Sequence, residues 1–218
     1  MKQHLVALLV FGLAALAVGQ SEPHAYDIDA NRALRYGDGN PSPSRWKLPA
    51  HWLDLARGEV AYDCAVAASF GTSYGASEPL DYALLTYQWL FDYREVWLHD
   101  APPELKFKVE LSGGVKTNGR ERFIGSLSGL AVYFPSWLAT ERLQPYIEGG
   151  VGGIYTDFRV EGQGFRWNFH PQAGIGALIH GNGPPWYVAL RFNHLSNAGL
   201  DDDNKGTNTV SLNVGRFF

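Results

Sequence analysis

Cysteine occurs once in the 218 residues, as Cys64, so no intrachain disulfide framework exists. No Cys/His cluster has the spacing of a zinc site either. An excess of positive charge is also missing: 18 Lys and Arg stand against 22 Asp and Glu, a formal charge of -4. That balance supplies no electrostatic footprint for nucleic acid, which is excluded as an expected partner. Beyond the first residues no apolar run is long enough for a transmembrane helix. Membrane-crossing strands remain open, because they need no such run.

What is present begins with a targeting signal. Lys2 provides a positive start, Leu5 to Leu16 is nearly all apolar, and Ala17-Val18-Gly19 places small residues at the -3 and -1 positions. Residues 1–19 therefore read as a secretory signal peptide cleaved after Gly19, the apolar run being too short for an uncleaved anchor. Residues 20–58 form a polar N-terminal segment rich in turn formers, with "YGDGNPSPSRWKLP" its clearest stretch and "HWLDLARG" a candidate short helix.

From Glu59 to the end the period is two. In "LKFKVELSGGVK", Leu105, Phe107, Val109, Leu111 and Val115 share one face, and Lys106, Lys108, Glu110, Ser112 and Lys116 the other. Runs between turn signals predict eight strands, at 59–70, 80–94, 105–116, 121–134, 145–157, 165–180, 185–196 and 208–218. They are long for a soluble sheet and suit tilted membrane strands. A soluble barrel with an apolar lumen competes with an outer-membrane barrel, whose apolar face meets lipid and whose interior is polar. Three features favour the second. Charged and small residues share one face, Tyr and Trp recur at strand ends, and Phe218 closes an amphipathic final strand. The expected fold is all-β: one eight-stranded antiparallel transmembrane β-barrel over 59–218, in the Gram-negative outer membrane.

Strand seven, "WYVALRFNHLS", ends with His194 and Ser196 on the face of Val188, Leu190 and Phe192. With both termini periplasmic, that end points outward and the pair faces lipid near the outer leaflet. Two readings stand side by side. The pair is interfacial and wetted by headgroups, or the imidazole activates the serine for attack on an ester, of which lipopolysaccharide acyl chains are the abundant local class.

The words "FNHLSNAGLDDDNKGTN" resemble the C-terminal motif of the lipid A 3-O-deacylase (PagL-like) family of eight-stranded outer-membrane barrels. The likeness is close from Phe192 to Gly199 and includes Asn204 and Gly206. It implies a serine esterase that removes the 3-O-linked acyl chain of lipid A, with His194 as base, Ser196 as nucleophile, and Asn197, Gly199 and Asn204 shaping the site and its oxyanion donors. It implies neither organic cofactor nor catalytic metal. Its partners are lipid A and outer-membrane lipids, and dimerisation is left open. One position departs from the family: Asn208 stands where an acidic residue completes the triad. Either Asn208 orients the ring through its amide oxygen, or an Asp of the following loop substitutes, or the barrel is non-catalytic with a lipid-binding or structural role. The expected register sets Ser196 opposite Asn208 and His194 opposite Val210.

"DDDNKG" at 201–206 fails as an EF-hand, with Lys205 fifth and Leu212 twelfth. It reads as a solvated loop or one bridged to lipid phosphates by divalent ions. His170 is expected to bond within the lumen, and His180 to lie at the interface.

Overall fold

Every run of alternating apolar and polar residues becomes a strand in the computed structural model, which describes residues 60–218 except Ser77. The expected signal peptide and the 20–58 segment, with "HWLDLARG", lie outside the described residues. The strands are β1 (Tyr62–Tyr74), β2 (Asp81–Asp92), β3 (Leu105–Lys116), β4 (Arg122–Tyr133), β5 (Leu143–Thr156), β6 (Trp167–Phe169), β7 (Gln172–Gly181), β8 (Gly183–Leu195) and β9 (Thr207–Phe217). All pairings are antiparallel, and β1 against β9 closes the ring.

Nine segments make eight staves. Phe169 faces Gly153 while Gln172 faces Gly150, one uninterrupted register on β5. Only His170 and Pro171 separate β6 from β7; His170 still exchanges backbone bonds with Gly152, and Pro171 has no N–H to give the ladder. The expected eight-stranded count therefore holds. The first strand runs further than expected, to Tyr74, and shortens the outer loop that follows.

Side-chain parity sorts the two faces. Val66, Phe70, Leu85, Ile147, Val151, Ile175, Leu190, Phe192 and Leu212 are exposed on the outside. Thr86, Gln88, Lys108, Glu110, Ser128, Glu148, Gln172, Arg191, Asn193 and Asn213 are buried inside. An apolar exterior around a polar interior is the arrangement of a membrane barrel and the reverse of a ligand-binding soluble one. Exposed aromatics gather toward the strand ends, Tyr62, Trp186 and Phe218 at one end and Tyr74, Phe123 and Trp167 at the other.

The lumen is filled rather than hollow. Arg191 on β8 donates Nη1 and Nη2 to the two Glu110 oxygens of β3 at 2.7 and 3.0 Å. Its Nε reaches Glu148 of β5 at 2.8 Å. Lys108 pairs with both carboxylates, and Gln172 accepts from Arg191 at 3.1 Å. Two cations and two anions thus neutralise one another across the barrel. His170 sits beside Gln172, 3.3 Å away, in the lumen as expected. Three inward tyrosines, Tyr82, Tyr146 and Tyr187, lie flat over Gly71, Gly176 and Gly215, where any Cβ would collide with the ring.

Two short elements were not foreseen, one of them a 3-10 turn at Ser136–Leu138. The β2–β3 connection contains a short helix, α1 (Tyr93–Trp97), whose N-cap Asp92 accepts from the Arg94 N–H at 3.2 Å. The expected strand at 80–94 ran through this turn, whose Asp92 cap went unread.

Removing one member of a buried charge group strands the others without water. Arg191→Ala should therefore destabilise the barrel by on the order of 3 kcal/mol, read as a lower urea midpoint in the heat-modifiable gel shift. Lys106→Ala, which loses only the half-exposed pair with Asp92, should cost less than about 1 kcal/mol in the same assay.

Candidate active site

β8 alternates without interruption: Arg191, Asn193 and Leu195 are buried inward, and Phe192 and His194 are exposed outward. Ser196, half-buried, continues the outward set one residue beyond the strand. The neighbouring stave pins this segment. His194 donates its N–H to Pro171 O at 2.9 Å, while Ser196 and Phe169 exchange N–H···O bonds of 3.1 and 2.7 Å. The interruption at Pro171 costs β8 nothing, since the proline carbonyl still accepts.

On the other side, His194 faces Asn208 directly in the β8–β9 register. This corrects the expected pairing of Ser196 with Asn208, and Phe192 rather than His194 lies opposite Val210. The displacement is two residues, so every side chain keeps its face. Its cause lies in the loop. Asn197 gives its N–H to Asn204 Oδ1 at 2.9 Å, which takes up a group that a longer ladder would have used. Gly206, at φ +72°, turns the chain into β9.

The result is a hydrogen bond between the His194 ring and Asn208: Nδ1 and Oδ1 are 2.7 Å apart. An amide oxygen only accepts, so Nδ1 carries the proton and Nε2 keeps its lone pair. That is the tautomer a general base needs. Gly206 also makes room for the imidazole, because a Cβ there would stand 2.8 Å from His194 Cε1. Among the described residues no carboxylate bonds the ring. The Asp201 carboxylate accepts instead from the Asp203 N–H at 2.9 Å. Nor does the Ser196 hydroxyl have a hydrogen-bond partner among the described residues, so the structure brings His194 to Asn208 without joining either to Ser196 Oγ.

Asn197 organises the loop. It is 1% exposed, donates Nδ2 to Asp203 O at 3.1 Å, and accepts the Gly199 N–H at 3.0 Å. Asn197 and Gly199 therefore have their N–H groups engaged. The Asn204 side chain spends its oxygen on Asn197 and keeps its amide N–H₂ free among the described residues. Ala198 adopts φ +56°, a strained value for a residue with a Cβ.

A second loop, unmarked by any pattern in the chain, holds the first. The β5–β6 connection, 157–166, meets the site loop edge to edge: Gly164 donates to Asp203 O at 2.7 Å and Lys205 to Gly162 O at 2.8 Å. Gln163, 1% exposed, bridges to Asn204. Contacts between loops so far apart in the chain leave no local periodicity to read. Among the described residues, no group of three His, Cys, Asp or Glu side chains is placed to hold a metal ion.

A family model described as lipid A 3-O-deacylase (PagL) matches residues 81–216. A lipid A deacylase, PagL, of Bordetella bronchiseptica is 27% identical over 167 residues, covering 70% of this chain and 88% of its own. The crystal structure of the outer membrane enzyme PagL superposes with TM-score 0.50 at 24% identity, covering 69% of this chain and 97% of its own. Neisserial surface protein A superposes with TM-score 0.54 at 11% identity, over 72% of this chain and 95% of its own, a likeness of fold alone. The chain belongs to the lipid A 3-O-deacylase family and is a protein of the outer membrane.

Asn197→Ala would leave the Gly199 N–H without its partner and the Asp203 carbonyl with only the Gly164 bond. The expected outcome is faster tryptic cleavage at Lys205 in the folded protein, with the barrel's gel-shift temperature unchanged. Unaltered cleavage would mean that the loop does not depend on Asn197.

Proposed function

We propose that this protein deacylates lipid A at the outer surface of the outer membrane, as a serine esterase acting on the 3-O-linked acyl chain. The observation that carries the reading is the His194–Asn208 hydrogen bond on the lipid face, two residues from Ser196, in a member of the deacylase family. An ester buried in the leaflet can approach such a site laterally, without leaving the membrane.

In this mechanism His194 Nε2 accepts the Ser196 hydroxyl proton as Oγ attacks the acyl carbonyl. The tetrahedral oxyanion needs donors whose bonds are not already spent. The Asn204 amide N–H₂ and the Ala198 N–H meet that requirement, whereas the N–H groups of Asn197 and Gly199 are engaged. Collapse expels the sugar 3-oxygen, which takes the proton from His194. Water, deprotonated by the same nitrogen, then releases the fatty acid and frees Ser196. The Ser196–His194 bond is one that forms or tightens when substrate is seated, as catalytic hydrogen bonds often do.

Asn208 supplies orientation without charge. It holds Nδ1 protonated but does not stabilise the imidazolium that forms in the transition state. An acid-to-amide change in a serine protease costs about ten-thousand-fold, through the wrong tautomer. Here the amide oxygen faces the ring and the tautomer is right, so the penalty is confined to the missing charge.

The test is mass spectrometry of lipid A incubated with the refolded protein. Loss of one 3-O-acyl chain is expected, abolished in Ser196→Ala and His194→Ala. Asn208→Glu should raise the rate by at least about tenfold, and Asn208→Ala should lower it by about tenfold. No mass change with folded wild-type protein and with Asn208→Glu alike would favour a non-catalytic, lipid-binding barrel.

A further inference from the structure

At the outer rim, away from the lipid-facing site, lies a cleft of about 420 Å³ lined by Lys116, Arg120, Arg122, Phe158, Arg159 and Arg166. The lining contains five cations and no carboxylate. These residues come from the outer end of β3, from the β3–β4 turn and the start of β4, and from the β5–β6 connection. The chain thus gathers like charges from distant segments, in a protein whose formal charge is -4.

Not all of these charges are free. Arg122 donates Nε to Asp157 Oδ1 at 2.9 Å and also bonds the Asp157 carbonyl. Desolvation raises the Asp157 pKa, but the Arg122 hydrogen bond, a backbone bond from Phe123 and the charges of Arg122 and Arg166 outweigh it and hold it below the ordinary range. Lys116 lies over the Phe158 ring, 5.5 Å from its centroid. Arg120, Arg159 and Arg166 are exposed, and among the described residues no carboxylate forms an ion pair with them. Glu121, exposed in the same turn, pairs with none of them. These three guanidinium groups line an open cleft without an ion-pair partner, and a planar guanidinium fork suits the oxygens of a phosphate monoester.

The position of the cleft selects among anions. Arg159 and Arg166 sit on the connection that also clasps the site loop through Gly164–Asp203 and Lys205–Gly162. A group held there is at headgroup level on the same outer rim as Ser196.

We propose that this cleft is a phosphate-binding subsite that takes the phosphorylated disaccharide headgroup of the lipid substrate. The proposal rests on the deacylase reading for the identity of that lipid. The subsite anchors the polar end by charge while the acyl chains remain in the leaflet beside His194. Neither Ser196 nor His194 takes part in the anchoring, so binding and hydrolysis are separable.

The experiment uses the full-length protein with Ser196→Ala, so that nothing is consumed, reconstituted in lipid nanodiscs. Fluorescent lipid A is added in two forms, bis-phosphorylated and enzymatically dephosphorylated. The phosphorylated form should bind at least about tenfold more tightly. The triple variant Arg120→Gln, Arg159→Gln, Arg166→Gln should lose that preference while retaining the barrel's gel shift. Millimolar inorganic phosphate should compete only weakly, because it lacks the acyl chains that hold the headgroup in place. A preference that survives the triple variant would overturn the proposal. So would equal capture of phosphatidic acid, which would make the cleft a general anion patch. Hydrolysis is not read, so failure of the esterase reading leaves this result interpretable.

Discussion

Eight strands closed in a ring leave an interior too narrow for water to solvate charge freely, and Arg191 is the side chain that interior is arranged around. It binds Glu110 and Glu148 from two other staves, and Lys108 completes the neutrality. Because neighbouring side chains on a strand point opposite ways, the inward commitment of Arg191 and Asn193 fixes Phe192, His194 and Ser196 outward. The face on which the candidate site opens is thus set by a charge that never meets lipid. A slip of one residue would bury His194 in the lumen and turn Arg191 into hydrocarbon, at a cost that forbids it.

Much of this was legible in the chain. Alternation gave the eight staves because each has one apolar face, and the Lys108–Glu110–Ser112 set identified the interior. His194 and Ser196 could be placed on the lipid face from parity alone. Register was harder. A two-residue displacement preserves every face, so hydrophobicity could not distinguish Ser196 opposite Asn208 from His194 opposite Asn208. The deciding groups are amides, Asn197 and Asn204, whose bonds end the ladder early. The meeting of the 157–166 connection with the site loop was invisible for a different reason. It is made largely of backbone bonds, to which side-chain identity contributes little.

Asn208 gains meaning from this register. Had Ser196 stood opposite it, the amide would have been a distant neighbour of the imidazole. Directly across the strand pair, it reaches Nδ1 with its oxygen and fixes the proton on the side away from Nε2. In the proposed mechanism, orientation and charge stabilisation, which one carboxylate usually supplies together, are separated, and the chain retains the first. Gly206 protects that arrangement by leaving space that any larger residue would take from the ring.

The clasp between the two outer loops binds their histories as well. Gly162 lies against the Lys205 side chain and Gly164 against the Asp201 carboxylate, so that a Cβ at either position would push into the other loop. Drift at these glycines is answerable to residues some forty positions later in the chain. Surface loops of barrels commonly diverge freely under selection from outside the cell. Here a side chain added at Gly162 or Gly164 has to be met by a shift of Lys205 or Asp201, so grafting one loop calls for its partner as well.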